Sequence, residues 1–196
     1  RRGDAADMVG KLDYLYSIGF SNSVEPLQRL LLEPSGQGLF DLSILITTGW
    51  PLPLEPFAPP PELMPETLIP DENNGRVLLL QSEADLIWSN GALLRDDGNN
   101  PNYRSYEVAG AQHIQAWPFP DAGLEFLPVI RGIFMAGDRW VTGGVEPPES
   151  VFVEEVPMDA IDPVYGMPTG IARDDDLNAV GGVRLPDLAL GRSQYI

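Results

Sequence analysis

Cysteine is absent, histidine occurs once (His113), and Lys11 is the only lysine. Without Cys the chain has no disulfide, no thiolate nucleophile and no Cys-based zinc site. A single His rules out a multi-histidine metal site within one chain. No apolar run approaches the roughly 18–20 residues of a membrane helix, so no membrane insertion is expected. Positive charge is scarce: 12 Lys and Arg stand against 29 Asp and Glu, a formal net charge of −17. Such a surface repels phosphate backbones and anionic headgroups, so nucleic acid is not an expected partner. What is present is enough for one domain. The 196 residues are 43% apolar, which favours a sizeable core and argues against disorder.

The apolar segments come in a definite order. Tyr14 to Ile18 reads as a strand bounded by Gly19. Val24, Leu27, Leu30 and Leu31 then recur at helical spacing, with Pro26 tolerable only in the first turn and Pro34-Ser35-Gly36 as a stop. Phe40 to Thr48 is nearly continuous in apolar residues, as a strand covered on both faces should be. Eight of the 20 residues from Pro51 to Pro70 are Pro, so the stretch from 50 to 75 is expected to be an extended excursion or lid. Strands follow at Val77–Gln81, ending in a polar loop, and at Tyr103–Val108, then a helix within Phe126–Val141 stopped by Gly143-Gly144. Separated apolar strands with intervening connections predict an α/β fold with a mostly parallel sheet and flanking helices. Residues 1–145 are expected to form the α/β domain. Residues 146–196, rich in Pro, Gly and acid, are expected to pack on it as an extended segment with one or two short strands.

Three residues of these connections have chemistry in common. In open α/β sheets ligands bind beyond the carboxyl ends of the strands, and Ser21, Asp85 and His113 each follow such an end. Ser21 lies in "GFSNS", on a strand-to-helix corner that would lift a nucleophile out of a sheet. A serine hydroxyl needs a base in hydrogen-bond reach and the base needs an orienting carboxylate. The chain order Ser21, Asp85, His113 supplies them, with Glu83 as an alternative acid. The Asn22 N–H, next after the serine, would be one oxyanion donor, worth about 3–4 kcal/mol in the transition state. Each residue also has an ordinary reading: Ser21 as a helix N-cap, Asp85 as a turn residue, His113 as a structural histidine. Trp50, Phe57 and Met64 are candidates for an apolar substrate pocket, and equally for plain packing. "DDDLNAVGG" at 174–182 is similar to the start of a calcium loop, but Ala179 stands where Gly is needed and Leu185 where Glu is, so a solvated turn is expected.

The pieces "GFSNS" (19–23), "GLFDLSILITTGW" (38–50), "RVLLLQSEADL" (76–86), "YRSYEVAGAQH" (103–113), "RWVTGGVEPPES" (139–150) and "GGVRLPDLALG" (181–191) appear in one order along the chain. In them it resembles the C-terminal part of a bacterial family of alpha/beta-hydrolase domain-containing proteins. The resemblance implies a serine hydrolase acting on small-molecule esters through an acyl-enzyme, with Ser21 as nucleophile, His113 as base and Asp85 as acid, and with no metal or cofactor. It also implies that the nucleophile follows the fifth strand of a longer sheet. The chain, which starts at Arg1, is therefore expected to be part of a larger enzyme. Association with the missing N-terminal half, or a homo-oligomer, would cover the edge of the first strand. The rival expectation is a non-catalytic module of the same fold, with Pro26 delaying the helix and spoiling the corner, or a partner-binding protein using the Pro-rich segment. Compartment is not fixed by the sequence; a secreted or periplasmic parent is compatible with it.

Overall fold

The computed structural model describes residues 12–47, 70, 75–88, 91–95, 98–113 and 127–190. Among them lies a four-stranded sheet, ordered as in the sequence and parallel throughout: β1 (Tyr16–Phe20), β2 (Leu42–Ile46), β3 (Arg76–Ser82) and β4 (Tyr103–Val108). Between β1 and β2 run a 3₁₀ turn (Ser21–Ser23) and helix α1 (Val24–Leu32). Helix α2 (Glu83–Trp88) follows β3 directly, α3 (Leu127–Gly143) comes after β4, and the short α4 (Pro186–Ala189) lies near the end.

The continuous apolar runs are explained by what covers them. Leu42, Ile44, Ile46, Leu78 and Leu80 pack with Ile133 and Trp140 of α3 on one face. Leu45, Val77 and Leu79 pack with Val24 and Leu31 of α1 on the other. Alternate residues of β2 and β3 thus meet different helices, so both parities are mostly apolar. A buried leucine in such a layer contributes about 1.5–3 kcal/mol over an exposed one.

The first strand is shifted from its predicted place. It runs Tyr16–Phe20, not Tyr14–Ile18, because the turn is made one residue after Phe20 and leaves Gly19 and Phe20 paired with Leu45 and Ile46. Pro26 does not delay α1, which begins at Val24. At the third helical position its missing N–H removes no intrahelical bond. The polar loop predicted after β3 is a helix, α2, for a reason given below.

Residues 144–190 carry isolated bridges in place of the short strands expected there. Val151 bridges to Tyr106 and Val183 to Val108, both in parallel, so this segment covers the outer edge of β4. The segment then folds on itself through Val153–Gly181, Glu155–Ile171 and Arg173–Ala179. Asp174 closes a local turn, accepting from the N–H groups of Asp176 and Asn178 and pairing with Arg184 at 2.9 Å. Among the described residues no helix is long and apolar enough to cross a membrane.

Candidate active site

At the carboxyl edge of the sheet, β1 ends in a corner whose geometry is unusual. Ser21 has φ +52°, in the left-handed region that non-glycine residues rarely occupy. The corner closes on Ser23, whose hydroxyl accepts from the Phe20 N–H at 2.8 Å and donates to the Phe20 carbonyl at 2.9 Å. The second small residue of "GFSNS" therefore does more than leave room. Gly19 has a steric reason: a Cβ there would stand 3.0 Å from Val24 Cα, a tight contact that would push on the start of α1. Ser21 does not cap α1. Its Oγ lies 2.7 Å from His113 Nε2.

Asp85 is fixed from the other side. Ser82, the last residue of β3, and Asp85 form a reciprocal cap at the start of α2. The Asp85 N–H donates to Ser82 Oγ at 3.2 Å, while Asp85 Oδ2 accepts from the Ser82 N–H at 2.9 Å and hydroxyl at 2.6 Å. This capping box nucleates the helix where a loop was expected, and S-x-x-D in "SEAD" was its sequence signal. The other carboxylate oxygen, Oδ1, lies 2.6 Å from His113 Nδ1. Asp85 is buried, whereas the His113 side chain is 38% exposed. The hydrogen bond to Asp85 raises the His113 pKa above its ordinary 6.5; burial opposes this, and the carboxylate charge adds to it.

Ser21, His113 and Asp85 thus form one hydrogen-bonded chain from three strand ends. Glu83, the alternative acid, is turned elsewhere: its carboxylate accepts from the Gly110 N–H and pairs with Arg173. Asn22 is exposed in the 3₁₀ turn next to Ser21. Trp50, Phe57 and Met64, and most of the 50–75 excursion, lie outside the described residues. Sequence reasoning missed Ser82, which holds Asp85. It also missed Thr47, one residue past the Phe20–Ile46 pair. Thr47 has φ +51° and a buried Oγ1 with no hydrogen-bond partner among the described residues. Two strained residues on adjacent strand ends mark this edge as a place where local preference yields to geometry.

The family model described as "Alpha/beta hydrolase domain" matches residues 2–124 and 119–196, nearly the whole chain. The chain belongs to the alpha/beta hydrolase domain family. No curated protein and no solved structure matches it. In this α/β hydrolase the parallel sheet, the strained serine corner and the histidine after the last strand all lie within the matched residues.

Proposed function

We propose that this α/β hydrolase is a serine hydrolase that cleaves carboxylic esters of small molecules through an acyl-enzyme. The observation that supports this most is the continuous chain from Ser21 Oγ to His113 Nε2 (2.7 Å) and from His113 Nδ1 to Asp85 Oδ1 (2.6 Å). In the proposed reaction His113 Nε2 takes the Ser21 proton as Oγ attacks the ester carbonyl. Asp85 holds Nδ1–H and stabilises the imidazolium. The Asn22 N–H donates to the oxyanion. His113 then returns the proton to the departing alcohol as the C–O bond breaks. Water, deprotonated by the same imidazole, releases the acid and restores Ser21.

A fluorophosphonate probe tests this. The expected result is labelling at Ser21, read by peptide mass spectrometry, that disappears in His113→Ala. The experiment is run on this chain and on one extended upstream. Failure to label Ser21 in both would remove the nucleophile and leave a binding module of the same fold.

A further inference from the structure

Glu83 is fully buried, and its two oxygens do different things. Oε2 accepts from the Gly110 N–H at 2.7 Å; Oε1 pairs with Arg173 Nη1 at 2.7 Å. Glu83 stands two residues before Asp85 on α2, and Gly110 three before His113. One carboxylate therefore ties the segment carrying the acid to the loop carrying the base. A second tie lies beside it, from the Ala84 N–H to the Ala111 carbonyl at 3.3 Å. Gly110 has φ +74°, which lets the loop present its N–H to Glu83.

Arg173 comes from the far end of the chain and is itself held. Its Nε and Nη2 donate to Asp162 Oδ2 at 3.0 and 2.7 Å. Asp162 also accepts from the Thr169 hydroxyl at 2.6 Å and the Val164 N–H at 2.8 Å. The Tyr165 ring lies 5.6 Å from the guanidinium carbon. The Arg173 side chain is 6% exposed, and those of Glu83 and Asp162 are 0% and 1%. An ionised carboxylate at such depth is costly without a counter-charge. A planar guanidinium can serve two carboxylates at once in fixed directions, which an ammonium cannot.

A further buried acid, Glu107, makes an informative contrast. Glu107 accepts from the Val153 N–H and pairs with Arg95, so it fastens the C-terminal segment to β4. Among the described residues it hydrogen-bonds to neither Asp85 nor His113. Of these two acids, Glu83 is the one whose carboxylate joins the two segments that carry Asp85 and His113. Asp85 needs little help, being locked by Ser82. His113 has half-exposed surroundings, and its orientation follows the loop that Glu83 anchors.

We propose that Arg173, acting through Glu83, is a positioning residue that sets the His113–Asp85 hydrogen bond. The C-terminal segment is thereby a working part of the active site. This rests on the Ser21–His113–Asp85 reading above. The test is therefore chosen to have one readout that needs no turnover. His113 is the only histidine, so the Nδ1 proton shared with Asp85 gives a single assignable downfield NMR signal.

The variants are Arg173→Met, which leaves Glu83 without its partner, and Arg173→Lys, which keeps charge but not the two-sided geometry. Arg184→Ala is the control, breaking a different ion pair of the same segment. In Arg173→Met the His113 signal is expected to move upfield or vanish into exchange. The value of kcat is expected to fall on the order of 10–100-fold, as for misplaced catalytic groups, with KM nearly unchanged. Arg173→Lys should recover part of both, and Arg184→Ala should match the wild type. A folded Arg173→Met whose proton signal and kcat match those of Arg184→Ala would overturn the proposal. If Arg173→Met does not fold, Arg173→Lys is judged by the same criterion. If the wild type hydrolyses no ester, the functional reading fails, while an unchanged His113 proton in Arg173→Met, or in Arg173→Lys where Arg173→Met does not fold, still separately overturns this one.

Discussion

The sheet with its helices and the segment 144–190 are built on different physics. In the first, leucine, isoleucine and valine fill two layers, one against α3 and one against α1. In the second, the apolar contribution is small: Val153, Ile171, Ala179 and Leu188 pack with Ala109, with Leu86 and Ile87 at the margin. That segment is held instead by backbone bonds along β4 and by arginine–carboxylate pairs that include the buried Glu83 and Glu107. Apolar layers form from nearly any well-patterned sequence and tolerate local change. Polar struts need every partner in place. The candidate site takes its three side chains from the first kind of structure, and Glu83 ties it to the second.

The largest expected difference between the regions comes from Leu78→Ala. Leu78 is fully buried in the layer under α3. The substitution should cost about 2–5 kcal/mol and lower the urea midpoint of the whole fold. Arg184→Ala removes a partly exposed pair with Asp174, for which about 1 kcal/mol or less is expected. Equal losses in equilibrium unfolding would show that the two regions are not held differently.

This difference also decides what could be read from the sequence. Apolar continuity in "FDLSILITT" and "VLLLQ" pointed to doubly covered parallel strands, and β2, β3 and β4 run in parallel where they were expected. Chain order and strand ends made Ser21, Asp85 and His113 the candidates, and the structure brings these three side chains into hydrogen-bond contact. The first strand lies two residues beyond its predicted place because Gly19 does not terminate it: the lack of a Cβ there serves the approach of α1. The capping box hidden in "SEAD" was legible and was missed. The positive φ of Ser21 and Thr47 was not, since it arises from closure of the corner and the strand end rather than from residue type. Least legible was the Glu83–Arg173–Asp162 network. Its members are 90 and 11 residues apart, and no local pattern tells which acid meets which arginine.

A smaller effect tests the corner. Gly19→Ala places a Cβ 3.0 Å from Val24 Cα and 3.1 Å from the Ser23 carbonyl, both backbone atoms that yield only if α1 moves. About 1–3 kcal/mol of destabilisation is expected. Fluorophosphonate labelling of Ser21 should slow more than stability alone accounts for. Unchanged labelling at wild-type stability would mean that the start of α1 can shift without disturbing the serine, and that the corner is not a rigid product of the sheet.

The smallest expected effect separates the regions by pH. The His113 pKa is raised by its hydrogen bond to Asp85. Its contribution to stability is therefore complete below the unfolded value, near 6.5, and is lost as pH rises through the folded one. Asp162 goes the other way. Burial would raise its pKa, but the bonds from Arg173, Thr169 and the Val164 N–H, with the Arg173 charge, hold it below 3.8. Its contribution is present above the unfolded pKa and is lost as pH falls through the folded one. The two regions should thus loosen in opposite directions of pH. Hydrogen exchange should show acid releasing the Val164 and Ala172 amides while β2 and β3 stay protected. Raising the pH through the folded His113 value should release residues 109–113 first. Ester hydrolysis should rise with pH through the same raised His113 pKa, because only the neutral imidazole can take the Ser21 proton. Loss of protection in both regions together at the acid end would mean that the polar struts and the apolar layers unfold as one unit, and that the segment's attachment to the sheet is stronger than its ion pairs.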